Sequence, residues 1–502
     1  MNKLRCRLTP LLASLPVTLL VVLLAPCSTA QAQAKADPLV GCWRGTLRAG
    51  VARLEVALNI RADGDGYRAT FDSLTQGVRD IPVAALERDG DRVIARLPAI
   101  GAEFISKLVD LPAPFGPKLD GTWKQGGQRL DLALTPGDAT PPRRPQQPGD
   151  DVPYAREEVT FGHDPARGLE ASFRVGAGAP VTLAGTLTLP EGDGPHPVAV
   201  MITGSGAQDR DETLAGHRPF LVIADHLTRR GVAVLRFDDR GTAASTGDFA
   251  TATSADFADD ARAALRFLLT RDDIDHARMG LIGHSEGGVV APLVATGPDR
   301  DLVAFAALLA PPGVNIADVI AHQSRLIGRA QGGAPELIDR NIEMTAKALA
   351  AVRDNPDEPE VRAAALRAIA TEHWSQLPSW AREAAGEGVE DVVAQLARVD
   401  TPWMRWLLRH DPAPTLRDTR CHVLAVFGAK DLQVDPAQNR PPIEAALADR
   451  SRPAKVVTIE GVNHLFQHSE TGRPSEYGEL EETFAPEALR LLQEWIAQVT
   501  GG

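Results

Sequence analysis

Ser285 has the neighbours expected of a nucleophilic serine. It stands in the sequence Gly283-His284-Ser285-Glu286-Gly287, between an apolar run over 279–282 and a second apolar segment over 289–296. Small residues on both sides of a serine permit a strand-to-helix turn that is too tight for larger side chains, and such a turn raises the hydroxyl above a sheet. The pattern therefore predicts an activated serine, with the backbone amide of Glu286 available to bind an oxyanion. A chance match is the competing interpretation, and the flanking apolar segments count against it.

A nucleophilic serine needs a base to take its proton and a carboxylate to orient that base, and later parts of the chain offer both. The predicted strand over 422–427 is followed by a loop that contains Asp431, and the strand over 455–459 is followed by a loop that contains His464. Because the carboxyl ends of parallel strands meet at one edge of a sheet, both loops are expected to lie near the serine turn. The order Ser, Asp, His along the chain fits this arrangement. We predict a catalytic triad of Ser285, Asp431 and His464.

Two nearby residues are alternatives for the acid and the base. Asp435 would replace Asp431 if the loop after 427 is longer than predicted, and His468 lies four residues after His464. Both are farther from the ends of the predicted strands, so we favour Asp431 and His464. His284, beside the nucleophile, is expected to be a packing or turn residue.

The loop after the predicted strand over 198–203 is the expected source of a second oxyanion donor. It reads Gly204-Ser205-Gly206, and its glycines let backbone amides approach a substrate oxygen closely. Ser205 is the preferred donor and Gly206 the second choice. The charged run over 209–212 follows, and two interpretations of it remain open: a solvated loop, or a segment that ties the oxyanion loop to Arg240.

The elements that must position these residues alternate between strand and helix from about residue 156 onward. Such alternation is typical of a mostly parallel sheet with helices on both faces, which is an α/β fold. The residue expected to cap the start of the second helix is Ser254. The predicted strands are 181–189, 198–203, 232–237, 279–282, 302–309, 422–427 and 455–459, and the predicted helices are 218–230, 254–268, 289–296, 436–449 and 486–499.

Two further regions flank or interrupt this alternation. Residues 36–135 contain alternating apolar positions and frequent turn formers, which predicts a small all-β domain without a catalytic constellation. Residues 136–155 begin with a proline-rich stretch and are interpreted as a semi-rigid linker to the domain over 156–502. Within that domain, residues 313–418 contain helical patterns and no convincing strand, so they are predicted to form a helical cap over the sheet.

The amino-terminal residues 1–34 resemble a secretory signal peptide. Basic residues at the start precede an apolar run over 11–25, and Ala32-Gln33-Ala34 is a suitable cleavage site. A membrane anchor is the competing interpretation, but the run is shorter than the ~20 residues that a spanning helix needs. Lipid attachment at Cys27 is disfavoured because Pro26 occupies a position where a small residue is expected. We therefore expect a periplasmic or extracellular protein without stable membrane insertion after cleavage.

Charge and cysteine content restrict the possible partners. The formal net charge is −13, and it becomes −16 when residues 1–34, with three basic and no acidic residues, are removed. An acidic protein of this kind has no electrostatic attraction for nucleic acid or anionic membranes. Cys42 and Cys421 would remain; they could form a disulfide in an oxidising compartment, although two unrelated buried thiols are favoured. No Cys-x-x-Cys pair or His/Cys cluster suggests a metal site, and no cofactor is expected.

Several motifs along the chain form a set that is shared with a known family. They are Thr203-Gly204-Ser205-Gly206, Phe237-Asp238-Asp239-Arg240-Gly241, the serine turn over 283–288, the loop over 428–431, Asn463-His464, and Trp403 with Asp411-Pro412. Together they resemble the α/β-hydrolase superfamily, and most closely its serine-aminopeptidase-like and EstD-type esterase branch. The resemblance covers about residues 156–500. It departs from the branch at 242–245, where a second glycine commonly follows Asp-Arg-Gly, so the shape of that loop stays open.

The resemblance implies the α/β-hydrolase fold and hydrolysis of a carboxylic ester through an acyl-enzyme, with a small-molecule ester as the partner. A peptidase or an acyltransferase using the same triad is an alternative within enzymes. A binding module with an inert hydrolase domain is the alternative from another class. The complete set of triad residues disfavours it, as does the lack of an aromatic stripe in the sequence of residues 38–135. The sequence leaves the oligomeric state open.

Overall fold

The computed structural model of the chain describes residues 37–49, 52–64, 66–74, 78–111, 116–126, 128–137, 142–162, 181–379, 382, 388–448, 450 and 452–501. The predicted signal peptide and Cys27 lie outside these residues. Among the described residues, no helix has the length and apolar character needed to cross a bilayer.

The first region of the chain forms a nine-stranded antiparallel sheet, as its alternating apolar pattern predicts. The sheet curls so that strands near its two ends approach each other around a core with Trp43, Phe104 and Trp123, and Phe71 stacks on Trp123 with ring centroids 4.6 Å apart. The order of strands is β4-β3-β2-β1-β9-β8-β7-β6-β5. Their bounds are β1 Gly41–Ala49, β2 Ala52–Asp63, β3 Gly66–Ser73, β4 Val78–Val83, β5 Ala85–Asp89, β6 Arg92–Leu97, β7 Ala102–Leu111, β8 Gly116–Gln125 and β9 Gln128–Pro136.

The second sheet has eight strands in the order β10-β11-β13-β12-β14-β15-β16-β17. The first two strands are antiparallel to their neighbours, and the six from β12 to β17 run parallel. Central strands such as β13 and β15 are buried at every position, which is why their sequences are nearly continuous apolar runs. The bounds are β10 Ala155–Gly162, β11 Thr182–Leu189, β12 His196–Ile202, β13 Ala233–Phe237, β14 Ile274–His284, β15 Phe305–Leu309, β16 His422–Gly428 and β17 Ala454–Ile459.

Helices cover both faces of the second sheet, and this arrangement with its strand order is the predicted α/β-hydrolase fold. One face packs against α2, α3 and α10 through residues such as Ala261, Val290 and Ile443, and the other packs against α1 and α11 through Phe220 and Trp495. The predicted elements are present, with the largest shifts at the starts of β14 and β15. The bounds are α1 Pro219–Thr228, α2 Ser254–Leu268, α3 Gly287–Thr296, α10 Pro436–Leu447 and α11 Pro486–Thr500.

Between β15 and β16 the chain leaves the sheet, and its described residues form six helices in the segment that the sequence predicts to be a cap. Four of them enclose a small apolar core of their own around Leu349, Val352 and Leu366. The bounds are α4 Ile316–Ala330, α5 Pro335–Asp354, α6 Pro359–Gln376, α7 Val389–Ala397, α8 Pro402–Leu407 and α9 Pro412–Asp418.

Three expectations about local structure can be compared with what is observed. The N-cap of α2 is Thr253 rather than the predicted Ser254, because Thr253 and Asp256 form a reciprocal capping box. The described part of the linker is bonded to the region that contains the second sheet: Arg144 donates hydrogen bonds to the carbonyl oxygens of Leu480 (2.6 Å) and Gly478 (2.9 Å). Of the two interpretations given for Cys42 and Cys421, both within the described residues, the disulfide is not observed.

Candidate active site

Ser285 occupies the sharp turn between β14 and α3. Its φ of 52° lies in the left-handed region, which non-glycine residues rarely adopt and which marks a strained backbone. A Cβ on Gly283 would lie 2.0 Å from the carbonyl oxygen of Gly287, and one on Gly287 would lie 2.2 Å from that of Ile202. The amide of Ser285 donates a 2.8 Å hydrogen bond to the carbonyl oxygen of Leu309. Glycine is therefore required on both sides of the serine by direct backbone contact.

Asp431 and His464 follow β16 and β17 and form a buried pair. His464 Nδ1 is 2.7 Å from Asp431 Oδ2. The other carboxylate oxygen, Asp431 Oδ1, accepts the backbone N–H groups of Gln433 (2.7 Å) and Val434 (2.9 Å). Because the carboxylate can only accept, Nδ1 carries the proton in this pair, and Nε2 of His464 is left as the basic nitrogen. The acid is thus oriented by backbone donors and in turn fixes the tautomer of the histidine.

The two alternative residues are engaged elsewhere. Asp435 is the N-cap of α10, and its Oδ2 lies 2.7 Å from Nε2 of His322 on the cap. His468 is half-exposed and lies between Glu482 (2.9 Å) and Glu487 (2.8 Å). Neither lines the cavity that contains Ser285.

Ser285 and His464 line one cavity of about 300 Å³ between the sheet edge and the cap. Its wall toward the cap is largely apolar, and a few polar groups lie near the serine. The apolar lining includes Val289, Val314, Ile316, Val319, Ile320, Trp403 and Leu407, and the polar lining includes Ser205, Gln208, Glu286, Gln323, His410 and Gln433. The arrangement suits a ligand with an apolar portion and one polar centre next to the hydroxyl.

The loop after β12 is held in place by two carboxylates. Asp239 accepts hydrogen bonds from the Thr203 hydroxyl (2.7 Å) and the Gln208 amide (2.9 Å), and Glu212 accepts the amide of Gly204 (2.7 Å). Burial raises the pKa of Asp239 to about 8, against the opposing effect of these hydrogen bonds. Ser205 lines the cavity as predicted for an oxyanion donor, whereas Gly206, with φ 101°, is not among the lining residues.

Neither of the two open interpretations of 209–212, a solvated loop or a tie to Arg240, describes the observed contacts. Arg240 donates to both carboxylate oxygens of Asp260 on α2, at 2.7 and 2.8 Å, because that carboxylate is buried and needs a cation. The charged run is instead joined to the residue two positions before Arg240: Arg210 contacts Asp238 through both its amide and its guanidinium. The segment is thus anchored rather than solvated.

Comparisons with known proteins show the family to which the chain belongs. The model of the family described as X-Pro dipeptidyl-peptidase (S15 family) matches residues 178–439, which is more than half of the chain. The chain belongs to this S15 family. The curated relative esterase EstD from Thermotoga maritima is 25% identical over 296 residues, which are 59% of this chain and 61% of the relative. The chain therefore spans less than two thirds of the length of that relative. The predicted resemblance to EstD-type proteins is confirmed.

Solved structures give matches of lower identity. Ferulic-acid-bound Est1E from Butyrivibrio proteoclasticus is 17% identical, with a TM-score of 0.38, and the match covers 64% of this chain and 97% of that one. An esterase from Pyrococcus furiosus is 13% identical with a TM-score of 0.39, over 72% of this chain and 99% of that one. The matching family is described as a peptidase and the curated relative is named an esterase, and both of these names denote hydrolases.

The carboxylates of two buried acids near the nucleophile, Glu286 and Glu212, were not predicted to take part in the site. The carboxylate of Glu286, of which only the backbone amide was expected to act, accepts hydrogen bonds from Ser254 on α2 (2.6 Å) and from the indole of Trp403 on the cap (2.7 Å). Burial raises its pKa despite these donors. Glu286 therefore joins the serine turn to the cap. Glu212 contacts His284, and no local sequence signal distinguishes either carboxylate from a solvated one.

Proposed function

We propose that this protein is an exported serine hydrolase that cleaves carboxylic esters through an acyl-enzyme on Ser285. The observation that carries the proposal is that Ser285, in a strained left-handed turn, shares one cavity with His464, whose Nδ1 is held 2.7 Å from Asp431. A serine, a histidine with a fixed tautomer and a buried carboxylate that follow strands at one edge of the sheet form the arrangement that acyl transfer requires.

In the proposed reaction, the Ser285 hydroxyl oxygen bonds to the ester carbonyl carbon while Nε2 of His464 takes its proton. Collapse of the tetrahedral intermediate breaks the bond to the alcohol oxygen, which receives that proton from Nε2 and leaves. A water molecule then repeats both steps on the acyl-enzyme and releases the carboxylic acid. Asp431 keeps its charge throughout, since its role is to hold the ring and stabilise the imidazolium.

The oxyanion is proposed to be bound by backbone amides on both sides of the serine hydroxyl. Glu286 is the N-cap residue of α3, so its amide is among those that a helix leaves without an intrahelical acceptor. The positive end of the α3 dipole favours a negative oxygen at the same place. Ser205 on the opposite loop is the proposed second donor. The amide of Gly204 is already bonded to Glu212, which excludes it from this role.

The cavity favours an acyl group of short to medium length. Its volume of about 300 Å³ is at the lower limit of typical ligand sites, and its outer wall is formed by side chains such as Val319, Ile320 and Leu407. Burial of an acyl chain against this wall contributes roughly 25 cal/mol per Å². Chains that exceed the cavity gain no further burial, so activity is expected to rise with acyl length and then fall.

Peptide hydrolysis is the second candidate function, because the matching family is described as an X-Pro dipeptidyl-peptidase. A peptidase that recognises a free amino terminus needs an ionised carboxylate facing the substrate ammonium. The two acids that line the cavity do not fit this need. Glu212 is already bonded to Gly204 and His284, and burial raises the pKa of Glu286, which disfavours its ionised form.

The experiment that separates the two functions compares p-nitrophenyl esters of graded acyl length with aminoacyl and Xaa-Pro anilides. We expect ester turnover that is insensitive to EDTA and absent in Ser285→Ala. Anilide turnover comparable to ester turnover would support the peptidase instead. Export is tested by expressing the full chain in a bacterial host and sequencing the amino terminus of the product, for which cleavage after Ala34 is expected.

A further inference from the structure

His284 lies beneath the nucleophile with both ring nitrogens facing hydrogen-bond acceptors. Its Nδ1 is 2.9 Å from Oε1 of Glu212, and its Nε2 is 3.0 Å from the backbone carbonyl oxygen of His464. The imidazole and the carboxylate are both buried. A neutral imidazole has one N–H and can satisfy only one of these acceptors, whereas an imidazolium has two.

The charge around the ring agrees with a doubly protonated state. Among the described residues, the charged groups that face His284 are the carboxylates of Glu212 and Asp431, and the ring of His464 lies 4.8 Å away between centroids. Burial by itself lowers the pKa of His284, but the charge and hydrogen bond of Glu212, with the His464 carbonyl and Asp431, together raise the pKa above its ordinary value. Oε1 of Glu212 also accepts the amide of Gly204.

We propose that His284 is a permanently protonated imidazolium that, paired with Glu212, positions the oxyanion loop and the catalytic histidine on either side of Ser285. One chain of hydrogen bonds runs from the Gly204 amide to Glu212, then to His284, and then to the carbonyl of His464. Gly204, at one end of this series of hydrogen bonds, belongs to the loop that supplies the proposed oxyanion donor. His464, at the other end, is the proposed base. His284 is a positioning residue, since it acts through these two loops.

The direct test is nitrogen NMR of the wild-type protein labelled with ¹⁵N-histidine. The signals of His284 are assigned by their loss in the variant His284→Gln. If that variant does not fold, His284→Asn is used in its place. We expect two protonated ring nitrogens at about pH 8, well above the ordinary histidine pKa of ~6.5. A single protonated nitrogen at that pH would overturn the proposal. This measurement needs no substrate, so its outcome is separate from that of the proposed esterase activity.

The kinetic test rests on the proposed function and uses His284→Gln and the double variant with Glu212→Gln. In His284→Gln we expect kcat to fall on the order of 10²-fold through misplaced loops, with KM little changed. The double variant should lose little more kcat than either single variant, because the two residues act on the loops as one pair. A loss of stability with unchanged kcat, or losses of kcat that add, would reduce His284 to a packing residue. Wild-type protein that fails to react with a fluorophosphonate would refute the esterase proposal and leave the NMR result standing.

Discussion

Asp431→Asn is the substitution whose effect can be worked out most fully from the structure. Oδ1 of Asp431 accepts the amides of Gln433 and Val434, while Oδ2 lies 2.7 Å from Nδ1 of His464. An asparagine has one acceptor oxygen, and the two backbone donors hold that oxygen where Oδ1 is now. Its NH₂ group must then face His464.

A donor at this position reverses the tautomer of the histidine. Nδ1 would have to accept from the asparagine, so the single ring proton would move to Nε2, which then has no lone pair for the proton of Ser285. The imidazolium that forms in the reaction would also lose its counter-charge. We expect kcat to fall by about 10⁴-fold, as in other triads with this change, which corresponds to about 5.4 kcal/mol of transition-state stabilisation.

The assay is steady-state hydrolysis of a short-chain p-nitrophenyl ester, together with the rate of fluorophosphonate labelling and a thermal melt to show that the fold is retained. Asp435→Asn is the matched control. Asp435 caps α10 through the amide of Ala437, a role that asparagine fills equally well, so most activity should remain. The reasoning would be refuted by an Asp431→Asn enzyme within about tenfold of wild type, or by a larger loss in the control.

Three further predictions concern other parts of the chain. Ser285→Ala should abolish fluorophosphonate labelling and lower turnover by on the order of 10⁴- to 10⁶-fold with the fold retained; persistent labelling would assign the nucleophile elsewhere. Gly283→Ala should lower the free energy of unfolding in urea by about 3 kcal/mol or more, because its Cβ would meet a carbonyl oxygen at 2.0 Å. Gly149→Ala is the control: open space surrounds this position, so the free energy of unfolding should not change. A chain that begins at Pro142 should have a larger free energy of unfolding than one that begins at Asp150. The difference should be about 1 kcal/mol for each lost Arg144 hydrogen bond. Equal melting temperatures of the two chains would contradict a structural role for the linker.

The parts of the site that could be predicted from the sequence are those that backbone topology positions. Parallel strands end at one edge of a sheet, so a residue just after such a strand is placed by the strand order alone. Asp431 and His464 are residues of this kind, and their partnership across 33 positions follows from β16 and β17 being neighbours. The glycines around Ser285 are predictable for a similar reason, since the backbone contacts that require them are local to the turn.

Side-chain partners in loops were predicted poorly because desolvation, rather than sequence spacing, selects them. One of the two open interpretations paired Arg240 with the segment over 209–212, yet its guanidinium pairs with Asp260, an acid that α2 buries beneath it. A charged group in such a place must find a partner of opposite charge, and which partner is within reach depends on the path of the whole loop.

The pair of Glu212 and His284 is the sharpest case of this limit. The two residues are 72 positions apart, and Glu212 reaches the imidazole from a backbone with φ 52°, a conformation that glutamate rarely adopts. Nothing in the run Asp209-Arg210-Asp211-Glu212 separates the acid that turns inward from its neighbours. Once the fold brings the acid and the histidine together, however, the acceptors at both ring nitrogens determine the protonation state. The fold therefore had to be known before the charge on His284 could be inferred.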